Sequence, residues 1–284
     1  MDARTAPDLT NPRAERVRSV RALSGRSVRE RQGRFLVEGP QAVRELVRFR
    51  PLAVRELYLS HEADARHPEL AADAAAAGLQ VRYGTAQVLE AMSPDAQGVV
   101  AVADQLSAGP DEVTADGPKL VAVLAHVRDP GNAGTVIRSA DAAGADAVVL
   151  TRESVDVHNP KTVRSTVGSM FHLPVVRGGD TAEVVGRLRA AGLTVLAADG
   201  SGPWDLDDLL DVAGPGGRRE SATPDLARPT AWVFGNEAWG LPQADLDLAD
   251  AVVRVPIHGR AESLNLATAA AVCLYASARA QRRG

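Results

Sequence analysis

Residues 120–150 read LVAVLAHVRDPGNAGTVIRSADAAGADAVVL, and their pattern decides the fold. Two continuously apolar runs, 120–125 and 147–150, flank a segment in which Val136, Ile137, Ala140 and Ala143 recur at helical spacing. Strands without polar alternation are buried on both faces, and a helix between two of them is the crossover that parallel pairing requires. The spacing predicts a helix over 133–143. The alternation then continues with a helix over 160–169, a strand over 173–176, a helix over 181–191 and a strand over 194–197. After a Gly/Pro-rich stretch, 213–229, come strands over 230–234 and 251–255 and a helix over 264–279. This part of the chain is read as an α/β domain built on a mostly parallel sheet, whose ligands belong at the carboxyl ends of the strands.

Upstream, β-type runs at 34–38, 52–59, 79–83 and 98–103 alternate with helical ones at 40–48 and 68–77, the pattern of a small α/β unit. Pro40 and Pro68 suit the first turn of a helix, where a missing amide proton costs nothing. From Gln105 to Pro118 apolar periodicity stops and Ser, Gly, Pro and Asp take over, as in a linker. The expected organisation is a basic extension over 1–32, a small domain over 33–106, a linker over 107–118 and a larger domain over 119–284.

With 284 residues, 45% of them hydrophobic and 24% charged, the chain has ordinary globular composition and room for two cores, which argues against disorder and fibrous repeats. No apolar run approaches the roughly 20 residues of a membrane span, and the first twenty residues carry Asp, Arg and Pro in place of a signal core. A cytoplasmic protein without membrane association is expected. Cys273, the single cysteine, sits in an apolar helical pattern, which rules out a disulfide framework and predicts a buried, inert thiol. The net charge of −4 conceals segregation, because Arg13, Arg16, Arg18, Arg21, Arg26, Arg29, Arg31 and Arg34 crowd the N-terminus. That cluster reads equally as a solvated helix face or as a surface for phosphates.

The informative polar residues follow strands. In the first loop, His126 to Arg138, Pro130 and Gly131 turn the chain and Asn132 is suited to cap the helix; Arg138 lies off the apolar face, where it could grip a phosphate or pair with Asp141. In the second, Phe234 to Pro242, Gly235 and Gly240 bracket Asn236 and Glu237, and two glycines so close suggest a ligand against the backbone or a tight turn with Glu237 exposed. The third, Val255 to Leu266, offers Ser263 as a helix cap ahead of Asn265 and an Ala-rich helix. His258 is read as an exposed loop histidine, and no His, Cys or carboxylate set has metal-ligand spacing.

Taken in order, these loops resemble the three signature motifs of the SpoU/TrmH family of RNA 2'-O-ribose methyltransferases. Asn132, Gly134 and Arg138 match N-x-G-x-x-x-R. Gly235, Asn236, Glu237, Gly240 and Leu241 match G-N-E-G-x-G-[LV]. Pro256, Ile257, Gly259, Ser263, Leu264, Asn265 and Tyr275 match the third motif and its helix. The stretch Arg34 to Gly39 looks like the start of the family's ribosomal-protein-like, RNA-binding N-terminal domain, and His158 to Phe171 resembles members acting on ribosomal RNA. The resemblance implies a C-terminal domain with a deep trefoil knot of the SPOUT type, S-adenosylmethionine as cofactor, RNA as substrate, most of all 23S ribosomal RNA, and a homodimer with its active site near the subunit interface. By position it implies cofactor contacts from Gly235, Val255 and Leu264, with Asn236, Ile257 and Ala198 as lesser ones. The catalytic set would be Asn132, Arg138, Glu237, Ser263 and Asn265, with Arg138 gripping the phosphate beside the target ribose and the others orienting it and the hydroxyl. Motif 2 departs from the pattern at Ala238, followed by bulky Trp239, which puts the shape of the cofactor loop in question. Three other functions fit the sheet: a transfer RNA methyltransferase, a catalytically idle RNA-binding protein, and a Rossmann-type oxidoreductase, which would need a Gly-x-Gly-x-x-Gly turn that is missing after the first strand of this domain.

Overall fold

The computed structural model describes residues 9–106, 108–214, 220 and 222–283, so residues 215–219 and 221 of the Gly/Pro-rich stretch lie outside the described residues. The chain divides into two compact units: residues up to Leu106 together with His158–His172, and the remainder.

In the first unit, β1 (Arg34–Glu38), β2 (Val54–Leu59), β3 (Val81–Tyr83) and β4 (Val99–Asp104) form a sheet of order β1-β4-β2-β3. Here β4 is antiparallel to both neighbours and β2 is parallel to β3. The arginine-rich N-terminus is part of this core. It forms helices Glu15–Ala22 and Arg26–Gln32, and Val17, Val20 and Leu23 pack with Leu36, Tyr58 and Met92. Its arginines sort by partner. Arg29 is buried, donating from Nη1 to the carbonyls of Leu23 (2.9 Å) and Ser24 (2.6 Å), so a cation meets carbonyls just past a helix end. Arg16 faces Glu56, Arg26 faces Glu30 and Arg34 faces Asp104. Arg13, Arg18, Arg21 and Arg31 are exposed, with no ion pair among the described residues.

The sequence predicts one helix over 160–169 in the larger domain. In the structure this segment belongs to the first unit, and the helix is Pro160–Ser165, followed by a 3-10 turn at Ser169–Phe171. The break has a backbone cause: Val167 (φ 53°) and Gly168 (φ 95°) are left-handed, and a Cβ on Gly168 would come 2.5 Å from Glu45 Cγ. Arg164 pairs with the buried carboxylate of Glu38 and with Asp95 (2.6 Å), while the Ser93 hydroxyl donates to the other oxygen of Glu38. The ring of His158 meets that of Phe35, and His172 meets Glu45 at 3.2 Å.

In the second unit, β5 (Leu120–Leu124), β6 (Ala147–Leu150), β7 (Val175–Arg177), β8 (Thr194–Ala198), β9 (Trp204–Asp205), β10 (Thr230–Phe234) and β11 (Ala251–Arg254) form a seven-stranded sheet of order β7-β6-β5-β10-β8-β11-β9. Every pairing is parallel. Both faces are covered, as the apolar runs require. Val121, Val123, Val195 and Val233 pack with Val184 and Leu188 of the helix Thr181–Ala190. Among the alternate positions, Trp232 is fully buried and donates its indole N–H to Ser277 Oγ (2.9 Å) on the helix Leu266–Gln281. The stretch expected as a linker holds a short helix, Pro110–Thr114, because Val113 reaches the core of this unit. The two-residue strand β9 carries no periodic signal. It matters because β11 lies between it and β8, and the loop joining β8 to β9 crosses β11 so closely that a Cβ on Gly202 would stand 2.6 Å from the Val252 carbonyl oxygen. Cys273 is buried, and burial pushes its thiol far above the ordinary range.

Candidate active site

Because β5, β10, β8 and β11 are parallel neighbours, the loops at their carboxyl ends emerge side by side. The loop after β10 is the tightest. Asn236 and Gly240 exchange backbone bonds of 2.8 and 2.9 Å, the Asn236 Oδ1 accepts from the Ala238 amide (2.9 Å), and its Nδ2 donates to the His126 carbonyl (2.8 Å). Gly235 is required where the loop closes on itself: an added Cβ would stand 2.4 Å from the Gly240 carbonyl carbon and oxygen. At Gly240 the backbone is left-handed, φ 70°.

The loop after β5 begins a helix earlier than the sequence suggests, at Pro130 instead of Ala133. Asn132 is not its cap. Asp129 is, its Oδ1 accepting from the Asn132 amide at 2.7 Å, since Pro130 fits the first helical position without needing a donor. The Asn132 side chain is therefore free for other work. Its Oδ1 accepts from Asn265 Nδ2 (3.0 Å) and its Nδ2 donates to Glu237 Oε1 (3.4 Å). Glu237 also accepts from the amides of Asp129 (3.0 Å) and Arg128 (3.4 Å). Ser263 does not cap its helix either. Asn265 does so, accepting from Ala267 (2.9 Å) and Thr268 (3.3 Å), so that the helix starts at Leu266. One line of hydrogen bonds, Asn265 to Asn132 to Glu237, thus ties the three loops together.

Beside this line opens a cleft of about 300 Å³, lined in part by Ala198, Gly235, Asn236, Val255, Ile257 and Leu264. Glu237 and Ser263 line it too. Arg138 is not brought in by contacts within one chain. It is exposed, has no hydrogen bond or ion pair among the described residues, and stands six residues, about 9 Å of helix, beyond Asn132. Sequence reasoning missed Asp199, Gly200 and Glu262 in the cleft wall. An Asp-Gly turn directly after β8 is the signal that could have found the first two. It also missed His126, whose Nε2 lies 2.9 Å from Asp245 Oδ2, an oxygen that accepts as well from Thr181 Oγ1 (2.9 Å). His258 is an exposed loop residue 3.4 Å from Asp207. Among the described residues no group of three His, Cys, Asp or Glu side chains could hold a metal ion.

Residues 119–275 match the model of the SpoU rRNA methylase family, and residues 36–108 match that of the RNA 2'-O ribose methyltransferase substrate-binding domain. The 23S rRNA (guanosine(2553)-2'-O)-methyltransferase RlmP of Bacillus subtilis is 33% identical over 94% of this chain and 97% of its own length. The 23S rRNA (guanosine-2'-O-)-methyltransferase RlmB of Bordetella pertussis is 32% identical over 88% and 98%. Among solved structures, the AdoMet-bound rRNA methyltransferase from Sinorhizobium meliloti superimposes with a TM-score of 0.77 at 30% identity, covering 95% of this chain and 97% of that one. The SpoU methyltransferase AviRb from Streptomyces viridochromogenes, in complex with AdoMet, gives 0.76 at 32% identity, with 95% and 100% coverage. A seven-stranded parallel sheet, three post-strand loops joined through Asn265, Asn132 and Glu237, and family models spanning both units lead to one assignment: the chain belongs to the SpoU rRNA methylase family of RNA 2'-O-ribose methyltransferases.

Proposed function

We propose that this chain binds S-adenosylmethionine in the cleft at the ends of β8, β10 and β11 and directs methyl transfer to a ribose 2'-hydroxyl of 23S ribosomal RNA. The observation that carries the reading is the convergence, on one cleft, of six positions drawn from separate loops: Ala198, Gly235, Asn236, Val255, Ile257 and Leu264. Its volume of about 300 Å³ suits a small ligand, and three carboxylates in its wall, Asp199, Glu237 and Glu262, suit a cationic one. The bound cofactor supplies an electrophilic methyl group on a sulfonium. The protein's part is positioning. Glu237, held by the Arg128 and Asp129 amides and by Asn132, fixes the first loop against the second, and Asn265 fixes the third. Ser263 stands free in the cleft wall to orient the hydroxyl.

Arg138 keeps its proton at any normal pH, so its role is to grip the phosphate beside the target ribose. Since it stands clear of its own chain's cluster, the site is completed by a second copy of the chain. The exposed Val272 and Tyr275 on the last helix supply an apolar face for such a homodimer. The first unit, with the exposed arginines Arg13, Arg18, Arg21 and Arg31 on its N-terminal segment, presents the RNA; we take residues 33–106 as the core of its substrate-binding domain, to which the helices of the basic segment and residues 158–172 also belong, and the rest of 119–284 as the catalytic domain. A trefoil knot belongs to the same reading, supported by the passage of β11 between β8 and β9 under the loop that joins them. The enzyme acts in the cytoplasm; no helix among the described residues is long and apolar enough to cross a membrane.

Calorimetry with S-adenosylmethionine and with NAD tests the cofactor, and mapping 2'-O-methyl sites in ribosomal and transfer RNA with and without the gene tests the substrate. Tight binding of S-adenosylmethionine alone and a site lost from 23S RNA are expected. No binding would leave an idle RNA-binding protein, and a site lost from transfer RNA would overturn the choice of substrate. Arg138→Ala that weakened RNA binding while leaving the methylation rate intact would remove Arg138 from catalysis.

A further inference from the structure

The cofactor loop carries a feature that cofactor binding does not explain. Ala238 and Gly240 both line the cleft, but Trp239 between them does not, and its side chain remains 51% exposed. A half-exposed indole on a mobile loop would be unremarkable. Here the loop that carries it is held: it is closed by the reciprocal Asn236–Gly240 bonds, and Glu237 ties it to the Arg128 and Asp129 amides. One side of the indole rests against the imidazole of His126, with ring centroids 5.5 Å apart and planes at 52°. That imidazole is itself immobilised. Its Nε2 meets Asp245, its backbone amide donates to Thr151 Oγ1 (3.3 Å), and its carbonyl accepts from Asn236. A histidine, an aspartate and a threonine thus stand behind a tryptophan that remains half exposed, on a loop whose neighbouring residues Ala238 and Gly240 line the cleft.

Arg128 lies two residues beyond His126 in the same loop. Its backbone amide reaches Glu237, while its exposed guanidinium has no hydrogen bond or ion pair among the described residues. An aromatic surface backed by a held imidazole, with an unpaired guanidinium two residues along the chain from that imidazole, is a pairing that single-stranded nucleic acid can use, because every base has a face to stack and every nucleotide a phosphate to pair. We propose that Trp239 is a stacking platform for a base of the RNA substrate, next to the methyl-transfer site, and that Arg128 takes the adjoining phosphate. The proposal rests on the methyl-transfer reading above and adds a specificity element to it. Stacking of the cofactor's own adenine is the competing use of the same indole, and the position of Trp239 outside the cleft lining argues against it.

The test uses the full chain and single-stranded RNA oligonucleotides drawn from the mapped target region. Intrinsic fluorescence should be quenched on RNA addition; of the three tryptophans Trp232 is buried and Trp204 only partly so, and the Trp239→Phe protein separates any Trp204 signal from that of Trp239. Trp239→Phe should abolish most of the quench yet hold RNA affinity within a few-fold. Trp239→Ala should weaken RNA binding and raise the KM for RNA by about 5- to 150-fold, the range that one base stack accounts for, with S-adenosylmethionine affinity by calorimetry held within about threefold. Arg128→Gln should lower the slope of log affinity against log salt by about 0.7, one single-strand phosphate. Equal loss of cofactor and RNA affinity in Trp239→Ala would make the indole a cofactor contact and overturn the proposal. So would an unchanged RNA affinity with no quench in the parent protein. If the parent protein bound no S-adenosylmethionine, the methyl-transfer reading would fall, while a quench removed by Trp239→Phe would still establish the platform.

Discussion

Replacing Gly235 by alanine perturbs the site at the point where the structure allows least. The new Cβ would lie 2.4 Å from the carbonyl carbon and oxygen of Gly240 and 2.6 Å from the Leu241 amide nitrogen. All three are backbone atoms, so no side chain can swing away, and relief requires moving the 236–240 segment outward by on the order of 1 Å, to reach ordinary carbon contact distances. That movement breaks the two reciprocal Asn236–Gly240 bonds, each contributing roughly 0.5–1.5 kcal/mol, and adds part of the roughly 1–3 kcal/mol typical of overpacking. A total of about 2–3 kcal/mol follows, which corresponds to a fall of roughly 4–12 °C in the melting temperature of a domain this size. If half of it appears in the cofactor site, S-adenosylmethionine affinity drops by about tenfold, because 1.4 kcal/mol is a factor of ten. Thermal denaturation followed by circular dichroism, together with calorimetric titration of the cofactor, reads both quantities. Gly186→Ala is the internal control. Gly186 lies exposed in the helix Thr181–Ala190, with nothing within 4 Å of an added Cβ, so alanine there should stabilise by about 0.5–1 kcal/mol. A Gly235→Ala protein that melts and binds cofactor like the parent would refute the close-approach argument.

Three further outcomes are expected. Ser277→Ala leaves the buried Trp232 indole N–H without its acceptor and should cost about 1–3 kcal/mol by denaturant titration, with cofactor affinity unchanged. The double substitution Arg18→Gln with Arg21→Gln should reduce the salt slope of RNA binding by roughly 1.4 to 1.8, whereas Arg16→Gln with Arg26→Gln, whose guanidinia already face Glu56 and Glu30, should reduce it by less than half as much. Arg138→Ala and Asn265→Ala, each inactive alone, should recover methyl transfer on mixing and subunit exchange, because one hybrid site would hold both wild-type side chains; a mixture as inactive as its components would place both residues in a single-chain site.

The parallel sheet was legible because its strands are uninterrupted apolar runs, and the positions of the three loops followed from the strands that precede them. What sequence could not give was the division of labour inside the loops. Asn132 and Asp129 are both good caps, and only the placement of Pro130 at the first helical position decides between them, releasing Asn132 to bridge Asn265 and Glu237. The same holds for Ser263 and Asn265. The N-terminal arginines hid two helices, because Val17 and Val20 are sparse among charges and their partners, Tyr58 and Met92, are distant in sequence. The strand β9, at two residues, is too short for any periodicity, yet it places β11 between itself and β8.

The excursion of residues 158–172 has a practical consequence for anyone exchanging recognition modules between relatives. The chain departs from the second unit after Val157, lends Val163, Met170 and Phe171 to the first, and returns at Leu173. A graft cut only at the apparent boundary near Leu106 would separate Glu38 from Arg164 and Phe35 from His158, leaving a buried carboxylate without its cation on one side and bare aromatic surface on the other. The first unit is assembled from two stretches of chain, and a chimaera that is to keep its core has to carry both.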